Sequence, residues 1–225
     1  MLITLGIIGI VAALTMPTIM QNVRKVIVVN KLKTNVATFQ NALRMAESKH
    51  GELHEWLTCG TQQEGEENFQ GNCTKRVFEE YFAPEFKVLK VCDNTNMNVC
   101  WTAPKALNGD SLNGNTNNNP KAIGFVLANG TSCYMWVGNV TTTEPHIQIY
   151  FDIDGKDRGV NRVGADVFGV IAKSSERRGF TLWDNDADPK SLCSKTSTDA
   201  KNGQGCGVLI YQNGWEIPKD YPISF

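Results

Sequence analysis

Residues 1–21 read MLITLGIIGIVAALTMPTIMQ. No amide or charge occurs before Gln21, and the apolar run is closed by Arg24 and Lys25. At 1.5 Å per residue, about 20 helical residues span roughly 30 Å, the hydrocarbon thickness of a bilayer. A secretory signal has a shorter apolar region, a basic leader and a small-residue cleavage site, and the length here favours a spanning helix. Pro17 has no N–H and is expected to kink or loosen that helix locally.

The helical pattern continues beyond Arg24. Val29, Leu32, Val36, Phe39, Leu43 and Ala46 recur at spacings of three and four, one apolar stripe along a helix. Lys31, Lys33, Asn35, Gln40, Asn41 and Arg44 lie off that stripe. Gly51 is the expected stop. The periodicity therefore predicts one helix of about 50 residues, about 75 Å long. Its first half (residues 1–22) is apolar all round, and its second half (23–51) is amphipathic and needs a surface to lie on.

Residues 52–225 form the expected head. Residues 52–81 are polar, and QQEGEEN at 62–68 reads as a solvated loop. EFKVLKVC at 85–92, HIQIYFDI at 146–153 and DVFGVIA at 166–172 read as strands. AIGFVLANGTSCYMWVG at 122–138 reads as a hairpin about Asn129-Gly130. NGDSLNGNTNNNP at 108–120 and NGQGCG at 202–207 read as loops, and GVLIYQNGWEI at 207–217 as a strand and a turn. The fold class is α+β, with an antiparallel sheet covered on one face by the amphipathic half of the helix.

Seven cysteines, none in a C-x2-C pair, suit disulfides in an oxidising compartment better than a metal site. The spacing suggests Cys59–Cys73, Cys92–Cys100 and Cys193–Cys206, with Cys133 free; reduced, buried thiols are the competing reading. A net charge of −1 gives no basic field for nucleic acid. No nucleophile elbow, phosphate loop, zinc-protease or dinucleotide motif occurs, and the chain is not expected to be an enzyme. His50, His54 and His146 show no ligand spacing beyond the 50/54 pair, which straddles Gly51 and has no third ligand in view. The five tryptophans are scattered, which suits core packing better than a sugar-binding face.

One polar stretch stands out. YFDIDGKDRGVNRVGADVFG at 150–169 places Asp152, Asp154, Asp157, Asn161 and Asp166 on a glycine-bent loop. Closely spaced Asp and Asn oxygens suit Ca²⁺, although the EF-hand spacing is not met. A polar turn whose side chains bond their own backbone is the alternative. Asp184, Asp186 and Asp188 make a second acidic cluster, read as a surface loop.

The stretch LITLGIIGIVAALTMPTIM, with its Gly6-Ile-Ile-Gly9 segment, Ala12-Ala13 and Pro17, resembles the N-terminal helix of type IV pilins and type II secretion pseudopilins. The resemblance implies a pilin-like fold, a long helix packed on a β-rich head. It implies a structural subunit held in the bacterial inner membrane, head outside, until assembly machinery draws it into a filament. Its partners would be other pilin or pseudopilin subunits, meeting through the helix, with Gly6 and Gly9 allowing close approach and Pro17 marking the bend. In that family a basic leader ends in a glycine where a peptidase cuts, and a glutamate follows five residues later. In the same register, all three are expected upstream of Met1. The resemblance also favours a calcium site in the acidic loop, since FDIDGKDRGVNRVGADVF is similar to a recurring pilin-like stretch at Asp152, Asn161, Gly164, Asp166 and Phe168. The alternative is an anchored extracytoplasmic module that binds calcium or carbohydrate without polymerising.

Overall fold

The stripe that begins at Val28 organises the molecule. The computed structural model describes residues 2–60, 67–112, 119–140, 144–176, 179–182 and 188–225, with side chains described from Ala13 onward. Helix α1 (Leu2–His50) is continuous through Pro17 and ends with Lys49 and His50 in its last turn, basic residues that suit the negative end of the helix dipole. Its buried line is Val28, Leu32, Asn35, Phe39, Ala42 and Ala46, with Leu43 alongside. Asn35 therefore lies inside the packed face, at 1% exposure, while Val36 is only partly buried. From Leu14 to Ile27 the helix leaves the head: Leu14, Met16, Ile19, Met20, Val23, Val26 and Ile27 expose between 40% and 73% of their surface.

Six strands follow in chain order as an antiparallel meander: β1 (Val88–Cys92), β2 (Ala122–Leu127), β3 (Ser132–Gly138), β4 (His146–Asp152), β5 (Val167–Lys173) and β6 (Thr181–Leu182). The hairpin about Asn129-Gly130 is present, but only Gly130 has positive φ, at 85°. Gly130 N–H bonds Leu127 C=O and Leu127 N–H bonds Thr131 C=O. This is a three-residue type of connection with glycine at the left-handed position, rather than a two-residue turn.

Phe39 is the centre of the helix-side core. Its ring meets Phe151 at 5.1 Å, Phe86 at 5.9 Å and Phe180 at 6.2 Å. Truncating such a residue costs about 3–5 kcal/mol. The same face is closed by α2 (Leu53–Trp56) and by α3 (Phe69–Val77), which runs on into one π-helical turn at Phe78–Phe82. Residues 69–82 are thus helical, within a stretch whose sequence reads only as polar. Phe69, Cys73, Val77, Phe78 and Phe82 are buried, but the π turn breaks the regular period that would have marked them. Most of the QQEGEEN run, residues 62–66, lies outside the described residues.

The opposite face of the sheet is covered too. Met97 of α4 (Met97–Cys100), Trp101, Ala106 and Leu112 pack on Ala122, Tyr134, Tyr150 and Val167. This second layer explains why β2 to β5 are almost continuously buried instead of alternating. At the C-terminal end, α5 (Pro189–Leu192) and α6 (Gly205–Gln212) are joined by Cys193–Cys206. Residues 207–212, expected as a strand, are helix: a short apolar run does not separate the two by period alone. Here the Cys193–Cys206 disulfide ties down the first turn of the helix, and Val208 and Ile210 are buried in the core. The other disulfides are Cys59–Cys73 and Cys92–Cys100, and Cys133 is a free, buried thiol.

Candidate functional site

The acidic loop joins β4 to β5 at the end of the sheet that faces α1. Asp152 closes β4 and is 3% exposed; Asp166 precedes β5 and is fully buried. Between them the chain is bound to itself. Asp166 Oδ2 accepts the N–H groups of Val160 (2.6 Å) and Asn161 (2.8 Å), and Oδ1 accepts that of Arg162 (2.8 Å). Asp152 Oδ1 accepts the N–H of Asp154 at 2.9 Å. Lys156 N–H donates to Ser132 Oγ at 2.8 Å, tying the loop to the start of β3. Asp157 and Asn161 adopt positive φ of 62° and 48°, conformations that Asp and Asn tolerate better than most residues.

Asp154 is the exception, since it faces another element. Arg24 and Lys31 of α1 both donate to it. Arg24 reaches both carboxylate oxygens, with Nη1 at 3.3 Å from Oδ1, and Lys31 Nζ stands 3.0 Å from Oδ1. The Asp154 side chain is 9% exposed, against 35% for Arg24 and 44% for Lys31. Burial pushes its carboxyl up, but the two cations outweigh that and hold it below its ordinary value. One turn further along the helix, Asn129 Nδ2 donates to Asn35 Oδ1 at 3.2 Å. The loop and the β2–β3 turn therefore grip one polar line of α1: Arg24, Lys31 and Asn35.

Of the expected calcium ligands, Asp152, Asp154 and Asp166 are brought together; both Asp166 oxygens and Asp152 Oδ1 accept backbone N–H groups, and Asp154 is paired with α1. Asp157 turns to Thr102 Oγ1, at 2.9 Å, and to Lys156. Asn161 donates from Nδ2 to Ala103 C=O at 3.3 Å. Most of the donor set is thus engaged by the loop's own backbone or by neighbouring segments, while Asn161 Oδ1 is buried and accepts no hydrogen bond. No group of three or more His, Cys, Asp or Glu placed to hold a metal ion occurs among the described residues. In the second acidic cluster, Asp188 caps α5, while Asp184 and Asp186 lie outside the described residues.

Among the described residues, the tryptophans do not form one face. Trp56 and Trp101 are core residues, and Trp136 is half-buried against Gln148; Trp183 lies outside the described residues. Gly6 and Gly9 belong to the part of α1 whose side chains are not described, and Pro17 is exposed. No helix among the described residues is long and apolar enough to cross a membrane, and the description enters the apolar run only at Ala13.

Sequence reasoning missed Arg24 and Lys31 as partners of the loop. Their seven-residue separation puts them on one helix face. Their common partner, however, lies 130 and 123 positions away, and nothing local announces it.

No curated protein and no solved structure matches the chain. One family covers most of it, over residues 18–152 and 173–225; that match includes Arg24, Lys31 and Asp152 and leaves out 153–172, with Asp154. The chain belongs to this family, which is described as a family of unknown function, DUF6613.

Proposed function

We propose that the chain is a structural subunit of a type IV pilus-like or type II secretion pseudopilus-like filament, held in the inner membrane by its apolar helix before assembly. The observation that carries this reading is the apolar arm of α1. The head closes its own core with the helix from Val28 onward, yet seven large apolar side chains between Leu14 and Ile27 remain exposed. Full burial of one such side chain is worth about 1.5–3 kcal/mol, so this arm calls for an apolar surrounding that the head does not supply. A membrane supplies it before assembly, and the arms of neighbouring copies supply it afterwards. The resemblance of residues 2–20 to pilin helices points the same way, and no chemistry is asked of the head.

Single cysteines at Leu14, Met16, Ile19 and Met20, cross-linked in membranes from cells making the full chain, test the reading. Ladders of multimers are expected. A chain that stays monomeric at every position would instead be an anchored module that does not polymerise.

A further inference from the structure

Arg24 occupies a singular position along α1. Among the described side chains Val28 is the first of the helix to be buried in the head, and Val26 and Ile27 are already exposed. Arg24 lies one helical turn outside that point, where the apolar arm begins, and still reaches back to the head through Asp154. Lys31, two turns further in and on the same face, holds the same carboxylate.

The carboxylate itself is not free to follow the helix. Asp154 N–H is bonded to Asp152 Oδ1, Gly155 N–H to Asp152 C=O, and Lys156 N–H to Ser132 Oγ. Asp154 is therefore presented by a loop pinned to β3 and β4, and its two partners stand on one continuous helix. Two cations on one mostly buried carboxylate also differ from a solvated surface pair, which contributes little. A single bond at the rim of the core would let the arm swing; a pair spaced along the helix opposes rotation in that plane.

We propose that Arg24, Asp154 and Lys31 form a latch that fixes the direction in which the apolar arm leaves the head, and that opening it turns the helix just before Val28 into a hinge. Head and arm then have two mechanical states, rigid when latched and jointed when open. The latch would act in this way whether the arm ends in a membrane, in a filament or in neither.

The test measures arm direction in the full chain in detergent micelles. Spin labels on T18C, in the exposed arm, and K87C, on the exposed side of β1's entry, report the distance between arm and head by pulsed electron paramagnetic resonance. The parent is expected to give a narrow distribution. Asp154→Asn and Arg24→Gln are each expected to broaden it and shift its mean. Arg24 lies outside the packed stripe, so its variant leaves the core intact even if Asp154→Asn disturbs the loop. Lys49→Gln, which removes the Lys49–Glu85 pair at the other end of α1, is the control and is expected to leave the distribution unchanged. Distributions as narrow in Asp154→Asn and Arg24→Gln as in the parent would overturn the latch. So would equal broadening in Lys49→Gln, which would mark general loosening of the helix.

Discussion

Asn35 of the long helix accepts a hydrogen bond from Asn129 Nδ2 at the tip of the β2–β3 turn, 94 positions away. Asn35 also donates from its own Nδ2 to Lys31 C=O at 2.9 Å. Both polar ends of a 1%-exposed side chain are thus engaged, as burial demands. Asn35→Ala removes both bonds and is expected to cost about 1–2 kcal/mol in urea unfolding. Asn35→Asp places an uncompensated charge there and is expected to cost more. Asn129→Ala, on the exposed partner, is expected to cost less than Asn35→Ala. Equal losses at the two positions would refute this account of the contact.

Gly159 is the point at which the acidic loop admits no side chain. Its φ is 70°, and a Cβ there would stand 2.3 Å from Asp166 Oδ2 and 2.9 Å from Asp154 Oδ2. Gly159→Ala therefore combines backbone strain with displacement of the carboxylate that gathers three N–H groups. A loss of about 1–3 kcal/mol is expected. Hydrogen exchange should speed up at Val160, Asn161 and Arg162, whose N–H groups lose their acceptor. Unchanged protection at these three amides would show that the loop adapts.

The parts of this fold legible in the sequence are those governed by local period and turn chemistry. The 49-residue helix, the β2–β3 hairpin, β4 and β5 all carry strong periodic or turn signals. The parts that were not legible depend on distant partners. Residues 69–82 look polar because Gln, Asn, Lys, Arg and Glu separate their apolar positions, and the π turn shifts the period after Val77. Asn35 looks like a solvent-facing residue until Asn129 arrives from another element. The acidic loop was legible as a feature but not in its use, because the cations that select Asp154 come from α1.

The cysteines separate into one inert thiol and three cross-links. Cys193 and Cys206 lie 13 positions apart with Cα atoms 4.8 Å from each other, beside Leu107. Replacing both by serine is expected to cost about 3 kcal/mol, chiefly by freeing the unfolded chain. Cys133 is buried, and that burial pushes its thiol well up from the ordinary value. Maleimide should therefore add nothing to the native protein and one adduct after unfolding without reductant. More than one adduct would show that a disulfide is open.

Asp152 contributes to the pH dependence of the head. Burial, joined by the like charges of Asp166 and Asp154, pushes its carboxyl up to about 7 against the N–H groups of Asp154 and Gly155. In the unfolded chain an aspartate titrates near 3.9. Between about 4 and 7 the native state therefore holds a proton that the unfolded state has released. Stability falls as pH rises through that window, by at most about 1.4 kcal/mol per pH unit for the single proton. Asp154, held below its ordinary value, works in the opposite direction at lower pH, losing stability as pH falls. Asp152→Asn keeps an acceptor for the Asp154 N–H and removes the titration. His146, which burial holds below its ordinary value, acts in the opposite direction in both proteins. In melting curves from pH 4 to 8 the parent should therefore lose stability relative to the variant as pH rises, and the variant should be the more stable of the two at pH 8. Parallel curves for the two proteins would mean that the Asp152 carboxyl is already ionised at the bottom of the window, and that its burial is offset by the loop's own N–H groups.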